Sequence, residues 1–282
     1  MAIDADLESQ YNARAAVPEH VAIQADWQRR SEKIRSSRAC KLDLAYAEGD
    51  RQRLDLFPAD SPNRPLHLFL HGGYWQRGER RANHFVAESL CAHGVNVALA
   101  GYDLCPSVSL DDIVAEVRTA LAWLWRHAAA LEFDPARIQV CGHSAGGHLT
   151  AMLMATDWPD QGTDLPVDLI HSGLAISGLY ELEPLRHTSI NEALSMDTET
   201  AARNSPILLQ PGSGHGPLTA AVGGLESAEF HRQAETLAER WRGHGAGVEV
   251  LHVPGTNHFT ILEELARDGV LLERALVLLE AS

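Results

Sequence analysis

Cysteine, positive charge and long apolar runs are all scarce in this chain of 282 residues, and each shortage excludes a class of protein. The four cysteines, Cys40, Cys91, Cys105 and Cys141, form no CxxC pair and no spacing typical of a zinc site. Lysine and arginine number 23 against 38 aspartates and glutamates, a net charge of −15. This charge disfavours binding to nucleic acid or to an anionic membrane, and solubility is its simplest role.

No stretch reaches the ~20 apolar residues that a membrane-spanning helix needs. The start of the chain, 1–8, is acidic and lacks the apolar core of a secretory signal. We therefore expect a cytoplasmic protein with reduced thiols, since disulfides are rare in that compartment. The expected partner is a small-molecule substrate, with no nucleic acid and no membrane, and a homodimer is left open.

Strand-like and helix-like segments alternate along the chain from residue 41 onward. A turn is expected at Asp134-Pro135. The alternation predicts an α/β fold with a mostly parallel central sheet and helices on both faces, in a single domain of residues 1–282. The predicted strands are 41–47, 53–57, 66–70, 95–100, 138–141, 169–176, 218–222 and 248–253, and the predicted helices are 81–93, 110–127, 145–156, 227–242 and most of 259–279.

Two segments fit no strand–helix unit. The first 37 residues are polar and helix-like, and the insertion at 179–206 contains several polar residues. We expect them to form a small helical cap over the carboxyl edge of the sheet. The alternative for the insertion is a surface segment without a role.

The sequence Gly142-His-Ser-Ala-Gly146 matches the pattern G-x-S-x-G. An apolar strand leads into it and a helix rich in small residues leads out, which is the strand–turn–helix setting of a nucleophile elbow. Glycines are needed there because a side chain at either flank would strike the neighbouring strand or helix. We interpret Ser144 as a nucleophile, and the alternative is a glycine-rich turn with an incidental serine.

A serine hydroxyl needs a base to take its proton, and that base needs a carboxylate to orient it. In hydrolases with such an elbow, the acid and then the histidine follow the serine along the chain. His258 fits the last position because it follows the strand 248–253 and precedes the final helical segment. The competing histidines are interpreted as surface or packing residues: His231, His244 and His252.

The acid is expected in the loop after the strand 218–222. Glu226 is the first carboxylate of that loop, and Ser227 opens the next helix as its N-cap. Glu229 is the alternative, although the positive end of the helix would favour a glutamate there in any case.

The sequence His71-Gly-Gly-Tyr-Trp75 follows another predicted strand, and its glycines let the backbone approach a substrate closely. Acyl transfer builds negative charge on a carbonyl oxygen, which fixed backbone N–H groups stabilise. We expect such an oxyanion hole from Gly72, Gly73 and Ala145. The residues expected to line a small, partly aromatic pocket are Tyr74, Trp75 and Phe259, with Tyr180 as a further candidate.

The His-Gly-Gly-Tyr-Trp sequence resembles the HGGxW signature of the kynurenine formamidase (arylformamidase) group, which belongs to the hormone-sensitive-lipase-like branch of the α/β hydrolases. The stretch 223–233, Gly-Gly-Leu-Glu-Ser-Ala-Glu-Phe-His-Arg-Gln, is similar to the acid-loop motif of that group, Asp-Ser-Pro-Glu-Phe-His-Arg-Gln. Tyr11-Asn-Ala-Arg14 and Asn257-His-Phe259 are similar too, so the resemblance runs from residue 11 to about 265. One departure is the acid, usually Asp in the group and Glu226 here.

This resemblance implies the α/β-hydrolase fold and gives Ser144, Glu226 and His258 the triad positions. It also implies hydrolysis of an aryl formamide without metal or cofactor, often accompanied by esterase activity on small aryl esters. A general carboxylesterase for small aryl or alkyl esters is the alternative within the enzymes. A ligand receptor on the same fold is the alternative outside them, although such modules usually lose the triad histidine.

Two weaker patterns predict no site. Gly212-Ser-Gly-His-Gly216 resembles a phosphate-binding loop, but it precedes a strand, so its amides would not cap a helix on a phosphate. The histidines at 71, 143 and 148 suggest a metal only superficially, since no predicted helix carries an HxxxH or HExxH pair and His71 and His143 belong to the two catalytic motifs.

Overall fold

A computed structural model describes residues 3–280, so the ends of the predicted 1–282 domain and the first two residues of the acidic start lie outside it. Within these residues one eight-stranded sheet forms, in the order β1-β2-β4-β3-β5-β6-β7-β8. The strands are β1 Lys41–Ala45, β2 Arg53–Phe57, β3 Arg64–Leu70, β4 Asn96–Ala100, β5 Phe133–His143, β6 Ser172–Ile176, β7 Leu218–Gly223 and β8 Val248–Val253.

Strand direction decides where the site is built. β2 pairs antiparallel with β1 and β4, whereas β4, β3, β5, β6, β7 and β8 run parallel. The predicted, mostly parallel sheet is therefore confirmed. The carboxyl ends of the parallel strands meet at one edge, where open α/β sheets bind their ligands.

Helices cover both faces of the sheet. The α-helices are α1 Ala5–Tyr11, α2 Ala13–Ala16, α3 His20–Ser37, α4 Ala87–Ala92, α5 Leu110–Leu131, α6 Ala145–Met154, α7 Asn191–Leu194, α8 Thr198–Arg203, α9 Ala228–Gly243, α10 Glu263–Ala266 and α11 Val270–Glu280. Side chains of a strand alternate between faces, so Leu66, Leu68 and Leu70 of β3 pack in one apolar core and Phe69 in the other. The first core includes α5, α6 and α9, and the second includes α3, α4 and α11.

Several predicted boundaries shift by a few residues, and two predicted segments differ in kind from the structure. The predicted helix 81–93 is a 3-10 segment, Arg80–Val86, followed by the short α4. The predicted turn at Asp134-Pro135 lies inside β5, because Phe133 already pairs with Arg64 and the bend appears only as a shift of register.

The N-terminal helices contact the insertion 179–206. The N–H of Asp4 donates to the carbonyl of His187 at 2.7 Å, and the Glu8 carboxylate accepts from both the N–H and the hydroxyl of Ser189 at 2.8 Å. The insertion itself contains a 3-10 turn, Pro184–His187, besides α7 and α8. The two segments therefore form one connected surface, while their action as a cap stays a prediction.

Residues 3–280 bear on the expectations about membrane helices and thiols. No helix in this range is long and apolar enough to cross a membrane. All four cysteines are free thiols, and three of them are buried.

Candidate active site

Ser144 lies at the turn between β5 and α6, in a backbone conformation that few side chains adopt. Its φ is 57° and its ψ is −118°, and its N–H is held by the carbonyl of Ile176 at 2.8 Å. A Cβ on Gly142 would lie 2.3 Å from the carbonyl oxygen of Gly146, and one on Gly146 would lie 1.9 Å from that of Leu70. Both flanking glycines are thus required by contact, as the sequence reasoning expected.

Glu226 and His258 are in direct contact at the carboxyl edge of the sheet. His258 Nδ1 donates to Glu226 Oε2 at 2.7 Å, and both side chains are almost fully buried. The other carboxylate oxygen accepts from the hydroxyl of Ser177 at 2.5 Å and from the N–H of Gly223 at 2.7 Å. These bonds fix the imidazole with its proton on Nδ1, which leaves Nε2 as an acceptor.

Glu229, the alternative acid, is occupied elsewhere. Its carboxylate forms an ion pair with Arg232 at 2.8 Å and accepts a hydrogen bond from the hydroxyl of Tyr11. The hydrogen bond from Arg232 lowers the pKa of Glu229, with Tyr11 adding to the effect. Glu226, by contrast, is the carboxylate that contacts His258.

Ser144 and His258 line the same cavity, whose volume is about 560 Å³. Small-molecule sites typically measure ~300–1,000 Å³, so a ligand of moderate size fits. No hydrogen bond joins the Ser144 hydroxyl to His258 within residues 3–280. Catalytic hydrogen bonds are often long in ligand-free enzymes and shorten when the substrate binds.

Among the described residues, three backbone N–H groups, two in the loop 71–75 and one directly after Ser144, have no backbone acceptor. Within the described chain, the N–H groups of Gly72, Gly73 and Ala145 donate to no backbone carbonyl. A Cβ on Gly72 would lie 3.0 Å from the Cβ of Ser144, which shows how closely the two loops approach. Gly73 has a φ of +121°, a value that favours glycine. The three predicted donors can therefore serve an oxygen bound at Ser144.

The aromatic residues predicted for the pocket divide into two groups. Tyr74 and Phe259 line the cavity, as expected. Trp75 and Tyr180 are fully buried and are absent from the cavity wall. The Trp75 ring packs edge-on against His148 with centroids 4.9 Å apart, so the structure places it beneath the loop.

Several cavity residues were missed in the sequence. α2 and α3 contribute Arg14, Gln24, Trp27 and Gln28 to the wall. The signal for Arg14 was present in the Tyr-Asn-Ala-Arg motif, but the helical pattern of α3 gave no indication of which face would meet the sheet edge. Ser177 was missed as well, although a polar residue directly after a buried strand was a usable signal.

His143, inside the G-x-S-x-G sequence, contacts the base rather than the solvent. Its Nε2 donates to the carbonyl oxygen of His258 at 2.6 Å, and the two rings lie 4.7 Å apart. Burial, and secondly the nearby His258, hold the pKa of His143 well below its usual value. His143 is therefore neutral at physiological pH and orients the base through its backbone.

In the stretch 3–280 no group of three or more His, Cys, Asp or Glu side chains is placed to hold a metal ion. His71 and His148 are buried, and His148 Nε2 donates to the carbonyl of Asn204 at 2.7 Å.

Known proteins with similar sequences are hydrolases of one fold. A family model described as the α/β hydrolase fold matches residues 67–262. The kynurenine formamidase of Danio rerio is 32% identical over 88% of this chain and 84% of its own length. The kynurenine formamidase of Salmo salar is 34% identical over 85% of this chain and 81% of its own length.

Solved structures share the fold. A protein from Silicibacter sp., described as a candidate thioesterase, superimposes with a TM-score of 0.84 at 32% identity, covering 97% of this chain and 100% of that one. Esterase B from Lactobacillus rhamnosis has a TM-score of 0.72 at 18% identity over 98% and 97% of the two chains, a likeness of fold alone. The chain belongs to the α/β hydrolases and, within their hormone-sensitive-lipase-like branch, to the group of the kynurenine formamidases.

Proposed function

We propose that this protein is a serine hydrolase that cleaves a small aryl formamide, in the manner of a kynurenine formamidase. The observation that carries the proposal is the 2.7 Å contact between His258 Nδ1 and Glu226, with His258 and Ser144 lining one cavity. A base fixed by a buried carboxylate beside a strained serine is the arrangement that nucleophilic acyl transfer needs.

The first half of the reaction forms an acyl-enzyme. His258 Nε2 takes the hydroxyl proton as Ser144 Oγ attacks the formyl carbon, and Glu226 stabilises the imidazolium through Nδ1–H. The negative charge that develops on the formyl oxygen is received by the N–H groups of Gly72, Gly73 and Ala145. The C–N bond then breaks, and His258 returns its proton to the leaving arylamine.

The second half regenerates the enzyme. His258 takes a proton from water, whose oxygen attacks the formyl ester on Ser144 and forms a second tetrahedral intermediate in the same oxyanion hole. Collapse of the intermediate breaks the Ser144–formyl bond and releases formate, while His258 returns the proton to the serine. The balance is one formamide and one water consumed, with one arylamine, one formate and one proton produced, because the released formic acid ionises and gives its proton to solvent.

A general carboxylesterase is the second candidate. It is favoured by the volume of the cavity, about 560 Å³, in which a small aryl or alkyl ester meets the same nucleophile and the same oxyanion donors. The acid of the triad is Glu226, whereas Asp is usual in the group. The extra methylene moves the carboxylate, and this difference bears on the choice between formamide and ester. A receptor without turnover is disfavoured because all three triad positions carry competent residues.

The deciding experiment compares N-formylkynurenine with short-chain aryl esters as substrates of the purified protein. The formamidase proposal expects the larger kcat/KM for the formamide, complete inhibition by a serine-directed fluorophosphonate, and a loss of ~10⁴–10⁶ in kcat for Ser144→Ala. Ester turnover without formamide turnover would instead identify a carboxylesterase. Ser144→Ala activity within tenfold of wild type would remove Ser144 as the nucleophile.

A further inference from the structure

Two arginine side chains in the cavity wall have no partner within the described chain. Arg14 is in α2, and Arg77 follows the His-Gly-Gly-Tyr-Trp loop. Both line the cavity that contains Ser144 and His258. Within residues 3–280 neither guanidinium donates a hydrogen bond or forms an ion pair.

Most arginines elsewhere in the described chain are engaged, and the exposed Arg240 is an exception. Arg51 donates to the carbonyl of Tyr102 at 2.8 Å, Arg80 pairs with Asp55 at 2.9 Å, and Arg126 pairs with Asp164 at 2.7 Å. Because the chain offers an excess of carboxylates, with 38 acidic residues against 23 basic ones, unpaired guanidinium groups stand out. Arg14 is half-buried and Arg77 is exposed, so two unpaired guanidinium groups on the wall of one cavity are free to bind an acceptor from outside the protein.

The charges in the cavity wall also favour an anionic ligand. Glu79 is the one carboxylate in the wall among the described residues, and it already lies 3.6 Å from Arg51 and 3.5 Å from Arg80. Arg14 and Arg77 are therefore uncompensated in a protein whose net charge is −15. A cavity with such walls concentrates anions.

The two arginines also repel one another. Burial and, secondly, the positive charge of Arg77 lower the pKa of Arg14. An anion between the two side chains would remove this repulsion and supply acceptors to both. A planar carboxylate fits best, since a guanidinium presents paired N–H groups that match its two oxygens.

We infer that Arg14 and Arg77 bind a carboxylate carried by the substrate, so that this enzyme selects aryl formamides or esters with an anionic side arm. The inference rests on the proposed hydrolase function of the same cavity. It assigns a role to the Tyr-Asn-Ala-Arg motif, whose arginine the acyl-transfer chemistry leaves unused.

The kinetic test uses matched substrates with and without the anion. One pair is N-formylkynurenine and 2-formamidoacetophenone, which share the aryl formamide while the second lacks both the carboxylate and the ammonium group of the first. The other pair is phenyl acetate and its ring-carboxymethyl derivative, so that the comparison does not depend on formamide turnover. The variants are Arg14→Gln, Arg77→Gln and the double variant.

The control variant is Arg240→Gln. Arg240 is an exposed arginine of α9 and is absent from the cavity wall. We expect the double variant to lose roughly 10- to 100-fold more kcat/KM on the carboxylate-bearing member of each pair than on the other member, mainly through KM. Arg240→Gln is expected to leave that ratio unchanged. Equal losses on both members, or no loss on either, would overturn the inference.

A binding measurement separates this inference from the proposed function. In the Ser144→Ala background, calorimetry is run with N-formylkynurenine and 2-formamidoacetophenone, with and without the two arginine substitutions. Selective loss of N-formylkynurenine binding supports the arginine pair even if no formamide is hydrolysed, and only the formamidase proposal would then fail. Unchanged binding, or no binding of the anion to the Ser144→Ala protein, contradicts the arginine pair whatever the activity.

Discussion

His143 donates a hydrogen bond from Nε2 to the carbonyl oxygen of His258 at 2.6 Å, and so links the nucleophile elbow to the loop that carries the base. The residue directly before Ser144 thereby fixes the backbone of the residue that activates Ser144. Since Glu226 holds the imidazole of His258 at 2.7 Å, the base is fixed from the side chain and from the main chain.

The first prediction concerns this positioning by His143. His143→Leu removes the donor and should lower kcat by ~10- to 100-fold with little change in KM, because a small displacement of the base weakens proton transfer. His143→Gln is the matched variant, since its amide nitrogen can donate at about the place of Nε2, and it should recover most of kcat. The measurement is steady-state kinetics together with the rate of fluorophosphonate labelling. Full activity of His143→Leu would show that the contact is structural only.

The second prediction distinguishes the two glutamates. Glu226→Gln keeps the shape but fails to stabilise the imidazolium on His258, so kcat should fall by ~10²–10⁴. Glu229→Gln should cost little in kcat, because its carboxylate contacts Arg232 and Tyr11. Glu229→Gln should instead lower the thermal stability, because it weakens the contact between Glu229 and Tyr11 that holds α1. If the two kinetic effects were reversed, the acid would be Glu229.

The third prediction concerns stability in acid. Burial lowers the pKa of His67, His71 and His148 from 6.5 to about 4 in each case. Between pH 4 and 6.5 these histidines are protonated in the unfolded chain and neutral in the folded protein. The free energy of unfolding should therefore fall as the pH drops from about 6.5 to 4, by up to about 1.4 kcal/mol per pH unit for each histidine.

The test compares the thermal unfolding of His67→Asn and the wild type between pH 7 and 5. His67 Nδ1 donates to Gln139 Oε1 at 2.7 Å, and an asparagine amide can keep that bond. In the variant, unfolding should take up about one proton fewer, so its free energy of unfolding should depend less steeply on pH. His93→Asn, at an exposed position, is the control, and equal slopes in all three proteins would contradict the prediction.

Local features of the site were predictable from the sequence, because they depend on neighbours along the chain. Ser144 needs an apolar strand before it, glycines beside it and a helix after it, and all of these are visible as residue patterns. Glu226 and His258 followed from the order of strands. Parallel strands end at one edge, so residues in the loops after β7 and β8 had to lie near Ser144.

The cavity wall was not predictable in the same way. α1 and α3 are held by long-range contacts such as Tyr11 with Glu229 and Trp27 with Glu263, which no local pattern reports. The orientation of the Trp75 ring was not predictable for a different reason. Tyr74 and Trp75 have φ values of 51° and 57°, and in such a turn the sequence alone does not decide which ring faces the cavity.

The last prediction concerns the size of the acyl group. Tyr74 lines the cavity next to Gly72 and Gly73, and its hydroxyl is held by the carbonyl of Tyr11 and by the N–H of Ala13. Because two backbone groups hold the hydroxyl of Tyr74, a long acyl chain would have to break these contacts to enter. Such overpacking typically costs ~1–3 kcal/mol, which is roughly a ten- to hundredfold loss of kcat/KM.

We therefore expect kcat/KM to fall from acetyl through butyryl to octanoyl aryl esters, with a preference for an aromatic leaving group. Tyr74→Ala should flatten the series by opening the wall, whereas Tyr74→Phe keeps the ring and should preserve most of it. The ratio of acetyl to octanoyl turnover in the three proteins is the measurement. A rise towards octanoyl in the wild type would indicate an open, lipase-like groove, and the formamidase proposal would then give way to a carboxylesterase because a formyl group would leave such a groove unfilled.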